Sequence, residues 1–399
     1  RQTFFGGGHS INGMIYLPNF GQNPTHSGTV TAGSATDGNG IGLFKNAPPS
    51  GYLALCTANL PDPAIALPSE QFNSVVWSGN STNNRAITVG FAADLTWFKQ
   101  RTGTNSNGLF DTVRGNSNPN GISSNSTSAP FDWTGIFKGH TSTGFTVGTD
   151  TAVNANSNTY VAWNWKANGS GSTDTSGDID CVLSANPTTG FSILTFTGNN
   201  SNNDTIPHGL GVVPDFVWYK AGDSSWENWI HSSVISGNKR LLLQSTAAAS
   251  SINSNYLIGG EIATSSMISN NGLTSSQAAV VYCFASKEGY SKIGVFTGNG
   301  SVDGPFVNCG FRPAWLMIKN TTNAQDWIIW DTKRNPSNEV TLFLYPNLTD
   351  GDATGSNVID LVSNGFKLRN AGTRNRNYNG DVYLFVAFAE APFKTANAR

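Results

Sequence analysis

Two carboxylates at corresponding places, Asp111 and Asp331, are the strongest reactive pair this chain offers. Two acids at a suitable separation suffice to hydrolyse a glycosidic bond. The third corresponding place, however, holds His231. An acid that recurs at a turn more often accepts backbone N–H groups than catalyses, so the expected role is structural. The five histidines, His9, His26, His140, His208 and His231, form no HxxxH or HExxH pair; His208 in "IPHGLG" reads as a turn histidine. No GxSxG elbow, phosphate loop or GxGxxG opening a helix occurs, and the Gly-rich "FFGGGHS" (4–10) has no helix after it to hold phosphate. "TDGNG" (36–40) and "TDGDATGSN" (349–357) are rich in oxygen ligands. Neither has the spacing of a calcium loop, and turns made of Asn, Asp and Gly look the same, so structural calcium is weakly supported and no cofactor is expected. Cys56, Cys181, Cys283 and Cys309 form no CxxC, and Cys283, between Tyr282 and Phe284, reads as a buried free thiol. So thin a set favours assembly in a reducing compartment and no enzymatic role.

Binding chemistry has two candidates. Trp226 and Trp229 in "DSSWENW" (223–229) offer the aromatic faces that sugars use. "KLRNAGTRNRNYNG" (367–380) carries Arg369, Arg374, Arg376 and Tyr378 and no carboxylate. An exposed Arg/Tyr loop suits an anionic glycan or lipopolysaccharide, whereas the plainer reading is a contact with an acidic neighbour or a solvated loop.

Strands must carry these groups. The chain has 399 residues, 12% of them charged, and a net charge of −2. That leaves no basic stripe for nucleic acid, and no run of 18 apolar residues marks a membrane helix. There are 46 Asn, 44 Gly and only six Glu, yet 38% of residues are hydrophobic. This is the balance of an all-β chain with many turns rather than of disorder. One pattern recurs three times. Gly90, Gly211 and Gly310 each precede by nine residues a lysine: Lys99, Lys220 and Lys319. Strands ending in Gly-Asn ("VVWSGN", "LTFTGN", "GVFTGN") come before, and Asp111, His231 and Asp331 follow the lysines by 12, 11 and 12 residues. Closing strands "YVAWNWKA", "VVYCFASKEG" and "YLFVAFAEAP" end each copy. The spacing predicts three tandem β-sandwich, jelly-roll-like modules at 67–168, 186–289 and 290–399, with a Gly/Ser/Asp linker at 169–185. In "PDFVWYK" both parities are apolar, so this strand is covered on both faces.

Residues 1–66 do not fit the repeat; they read as the end of a further region and an extended, proline-rich connector. Their stretch 19–66 ("NFGQNPTHSG…LPDPAIA") resembles the closing part of SPRY-like, concanavalin-type sandwich domains in tailed-bacteriophage virion proteins, especially marine ones. The copies resemble the modules that follow that domain, through "FDTVRG", "GFTVG" (144–148) and "YVAWNWKA", with a departure at Ala93 where the pattern has Pro. The resemblance implies a phage structural protein on the particle surface, assembled in the host cytoplasm. A tail fibre or spike component that touches the host is the leading expectation, with a capsid or tail decoration protein as the alternative. A glycan-active enzyme or a bacterial adhesin is more remote. Expected partners are other virion proteins, further copies of the chain (as a trimer, by analogy with fibres) and a host-surface glycan.

Overall fold

The computed structural model describes residues 31, 33–115, 120–132, 135–221, 225–370 and 374–396. Residues 4–10, His9, His26 and the first part of the SPRY-like stretch lie outside them. The described residues form 27 strands and three short 3-10 turns, with no α-helix. The chain divides into two compact units, 1–62 and 63–399. In the first, the loop at "TDGNG" is held by its own aspartate. The Asp37 carboxylate accepts from the backbone N–H of Asn39 (2.9 Å), Ile41 (2.9 Å) and Ala54 (2.7 Å) and from Asn59 Nδ2 (2.7 Å). That is turn chemistry.

In residues 63–399 one strand order occurs three times. An opening strand (Phe72–Ser78, Phe191–Thr197, Ser291–Thr297) pairs with a closing strand (Thr159–Trp165, Ala278–Phe284, Val382–Pro392). The closing strand pairs with an inner strand (Leu95–Gln100, Phe216–Ala221, Phe311–Asn320), and that with an outer strand (Gly108–Asp111, Trp229–His231, Ile328–Asp331). Register is preserved as well. Lys99 lies opposite Val161, Lys220 opposite Val280 and Lys319 opposite Leu384. We call the three assemblies lobes.

Each main sheet is covered on one face by a smaller sheet, which makes the lobe a sandwich. In the first lobe Ile87, Phe145 and Val147 of the small sheet meet Phe98, Phe110 and Tyr160. The second and third lobes repeat this around Ile206 and Ile268, and around Val307 and Phe366. The opposite face of every main sheet turns to a single central core. Trp97, Trp163 and Trp165 meet there with Trp218, Tyr282 and Phe284 and with Trp315, Met317 and Phe388. Ring centroids of Trp97 lie 5.3 Å from Trp218 and 6.5 Å from Trp315. The double apolar parity of "PDFVWYK" follows: Val217 and Tyr219 enter the lobe's own interior, Phe216 and Trp218 the shared one.

The lobes therefore do not each enclose their own tryptophans, as tandem modules would. Nor is 169–185 an uncommitted linker. It contains the strand Ser172–Asp174 and the start of the strand Cys181–Asn186, which extend the second lobe's sheet beyond its opening strand. Gly and Ser made the stretch look flexible, but backbone pairing does not depend on side-chain bulk.

Candidate functional site

The recurrent lysine sits in the middle of an apolar strand, where an ammonium group must find acceptors or lose its charge. All three are fully buried. Each Nζ donates to the carbonyl six residues on in its own lobe and to one carbonyl of a neighbouring lobe. Lys99 reaches Asn105 O and, in the third lobe, Thr349 O. Lys220 reaches Trp226 O (2.5 Å) and Ser126 O of the first lobe (3.1 Å). Lys319 reaches Gln325 O (2.5 Å) and Thr246 O of the second lobe (2.8 Å). First grips third, second grips first, third grips second: the contacts close a ring.

The residue eight positions after each lysine repeats the pattern. Asn107 Nδ2 donates to Leu348 O (2.9 Å), Asn228 Nδ2 to Ser126 O (3.0 Å) and Trp327 Nε1 to Leu242 O (3.0 Å), each in the neighbour that the lysine also holds. Burial pulls the Lys99 and Lys220 amines down to about 8 and Lys319 to about 7; nearby Asp350 and Asp352 oppose this at Lys99, and Asp326 at Lys319.

The two carboxylates proposed from sequence join the same seams. Asp111 accepts from Arg114 Nε (2.6 Å) and from Tyr282 Oη of the second lobe (2.8 Å). Asp331 accepts from Arg334 Nε (2.5 Å) and from Trp163 Nε1 of the first (3.1 Å). Both are buried and fully engaged, in different seams, which suits holding lobes together rather than flanking a sugar. His231 is not their counterpart. Asp111 and Asp331 lie opposite Leu95 and Trp315, whereas His231 lies opposite Val217, one residue beyond the corresponding Phe216. The equivalent residue is Ser232, whose Oγ donates to Asp215 O (2.6 Å). The following Ser233 reaches the Asp215 carboxylate (3.5 Å) as Thr112 reaches Asp94 (3.0 Å). His231 instead enters the second lobe's interior against Tyr219, and burial, aided by Arg240, pulls its imidazole from the usual 6.5 down to about 3, so that it is neutral near neutral pH.

Trp226 and Trp229 do come together, with centroids 4.7 Å apart, half-buried against the second lobe's interior. Trp229 Nε1 donates to Glu227 (2.7 Å), and the Arg240 guanidinium lies 4.2 Å over its ring. The basic loop is less open than its sequence suggests. Arg369 is paired with Asp360 (2.5 Å). Arg376 is buried, and burial draws its guanidinium down to about 10. Arg374 lies 4.4 Å over the Tyr378 ring, and this stack and the paired Arg369 face outward. The two candidate sites belong to different lobes.

Other candidates resolve as structure. His208 Nε2 meets Thr264 O (3.2 Å) and its Nδ1 accepts from Leu210 N (3.3 Å). Asp352, in the second Asp/Gly cluster, accepts from Arg101 (2.7 Å) and Arg334 (3.0 Å). Among the described residues no group of three His, Cys, Asp or Glu could hold a metal, and all four cysteines are free, three of them buried.

A family model matches this ring: the domain of unknown function DUF7483, over residues 67–392. The match runs from just before the first opening strand to the last residue of the third closing strand. The chain belongs to the DUF7483 family. No curated protein and no solved structure matches it. That the DUF7483 model spans all three lobes as one domain agrees with a core that no lobe could complete alone.

Sequence reading used the lysines as landmarks and missed their role. The signal was there, since a lysine recurring amid apolar strand residues must be neutralised or bonded.

Proposed function

We propose that this DUF7483 chain is a structural protein of a bacteriophage particle, a component of a tail fibre, spike or similar surface appendage, and that its work is mechanical rather than catalytic. The observation that carries the reading is the cyclic lysine clamp. The buried charges and amides of three lobes are spent on gripping one another, which makes a stiff block of the kind an appendage needs. The motif resemblance to phage virion modules supplies the context. The block also provides, within one chain, the threefold arrangement that fibres otherwise obtain from three chains; further copies and other virion proteins would stack on it.

Host-glycan contact is a second reading, favoured by the Trp226–Trp229 pair with Arg240 over one ring. The deciding experiment is to locate the chain on purified particles by mass spectrometry and labelled-antibody electron microscopy. Label on the tail or its appendages supports the proposal. A capsid-lattice position would favour the decoration role, and absence from the particle would refute the virion assignment. Release of reducing ends from host polysaccharide would refute the non-catalytic part.

A further inference from the structure

The ring has three seams, and the chain passes from one lobe to the next at two of them. At the first crossing the chain leaves Trp165 and is clamped by Asp94, which accepts from Ala167 N (2.7 Å). It passes Thr112, whose Oγ1 donates to Gly169 O (2.8 Å), and then lays the strand Cys181–Asn186 antiparallel along the second lobe's opening strand. At the second crossing Asp215 accepts from Ser286 N (2.7 Å), and Ser286 Oγ accepts from Ile293 N (3.0 Å) of the third opening strand. At the third seam, between the third and first lobes, the chain enters the first lobe with the turn Pro68–Glu70 against the third lobe's closing strand. Among the described residues no strand is added to the first opening strand. There the clamping aspartate is replaced by Ala314, at an irregularity in the pairing of the inner and closing strands. A cavity of about 260 Å³ opens, lined by Phe72, Asn73 and Ser74 of the first opening strand and by Ala314, Thr332 and Glu390.

The cavity runs along an unused strand edge. The bonds Lys166 N to Gln71 O (2.9 Å) and Gly79 N to Asn158 O (2.7 Å) fix the phase of the opening strand's ladder with its closing strand. In an antiparallel pair the bonded residues alternate, so the N–H and C=O of Phe72, Ser74 and Val76 point away from that ladder. Among the described residues the strand Phe72–Ser78 pairs with the closing strand alone. The corresponding residues of the second lobe, Phe191, Ile193 and Thr195, face Asn186, Ser184 and Val182 of the added strand. Ser74 is 2% exposed, and its Oγ has no partner among the described residues. Val76 is 41% exposed. The third opening strand is also an edge, but it carries exposed Lys292, a charge that discourages pairing. Phe72–Ser78 has neither charge, Pro nor Gly.

We propose that this seam receives an extended, uncharged polypeptide segment from a partner protein. It would add antiparallel to Phe72–Ser78 as Cys181–Asn186 adds to Phe191–Thr197, with a small residue over Ser74. The molecule itself shows this mode of filling at the equivalent seam, and a volume below the roughly 300–1,000 Å³ of small-molecule sites suits a strand better than a free ligand. The proposal does not depend on where the protein works.

The test uses the full chain and a fluorescent synthetic peptide copying residues 181–187. The expected result is saturable binding with slowed hydrogen exchange at the amides of Ser74 and Val76. Val76→Pro removes an outward N–H that the closing strand does not use, and Ala314→Asp restores the side chain of the other two lobes at the mouth of the groove. Each folded variant should weaken binding at least tenfold. Should Val76→Pro fail to fold, Ala314→Asp alone decides, since both other lobes accommodate aspartate there. No saturation, protection confined to other strands, or undiminished binding by Ala314→Asp would overturn the proposal.

Discussion

A buried lysine pulled down to about 7 or 8 is a statement about stability as well as charge. The unfolded chain titrates these amines near 10.5, so between the two values it binds more protons than the folded chain. These amines therefore contribute stability that rises with pH across that window. Below it the full cost of burying three ammonium groups is present, at about 1.4 kcal/mol for each pKa unit. A neutral amine still has two N–H groups, enough for the two carbonyls each lysine meets, so deprotonation need not break the clamp. Denaturant melts should show the free energy of unfolding increasing between about pH 7 and 8.5. Above that the thiols of Cys181, Cys283 and Cys309, which burial keeps protonated in the fold, ionise in the unfolded chain and oppose the rise. Lys319→Met, which retains the apolar stem and cannot titrate, should flatten that rise; an unchanged slope would contradict the assignment.

At the scale of elements, what distinguishes the seams is the joint between an outer strand and the neighbouring closing strand. Two of the three joints carry an Asp–Arg pair capped by an aromatic N–H or O–H: Asp111 with Arg114 and Tyr282, Asp331 with Arg334 and Trp163. At the third joint the corresponding residues are Ser232, Ile235 and Val386, and Ile235 and Val386 lie in the shared core. All three polar members have been exchanged together. This is the expected behaviour of a buried network, in which a half-satisfied set is worse than an apolar one. Asp111→Ala alone should cost about 3–5 kcal/mol, because it strands the buried Arg114. Combining it with Arg114→Met and Tyr282→Phe should restore part of that loss in thermal or denaturant melts. A triple variant less stable than the single one would rule out the network account.

The whole molecule is held by a core that no lobe owns. Trp97, Trp163 and Trp165 complete their packing only against Trp218, Phe284, Trp315 and Phe388. Ending the chain after residue 289 would remove the third lobe and expose that aromatic face, along with carbonyls that Lys319 and Trp327 now satisfy. Such a truncation is expected to aggregate or to melt well below the intact protein, whereas independent tandem domains would leave two folded modules. Size-exclusion chromatography and calorimetry of the truncated chain separate these outcomes, and the intact 63–399 block should unfold as one transition.

The all-β class, the threefold recurrence of Gly, Lys and aromatic landmarks, the burial of Cys283 and the turn role of His208 could all be read from the chain, because they follow from local periodicity, turn residues and burial propensity. So could the double coverage of "PDFVWYK", though not what lay on its second face. The one-residue offset of His231 was marked by its spacing of 11 rather than 12 residues from the lysine, and strand register makes Ser232 the equivalent. The burial of Arg376 depends on what packs over its loop and leaves no mark in residue spacing. That three lysines would reach across into neighbouring lobes, and that one seam would stay open at Ala314, was decided only in tertiary structure. Contacts between residues as far apart as Lys99 and Thr349 depend on how finished lobes dock, and local sequence carries no record of that geometry.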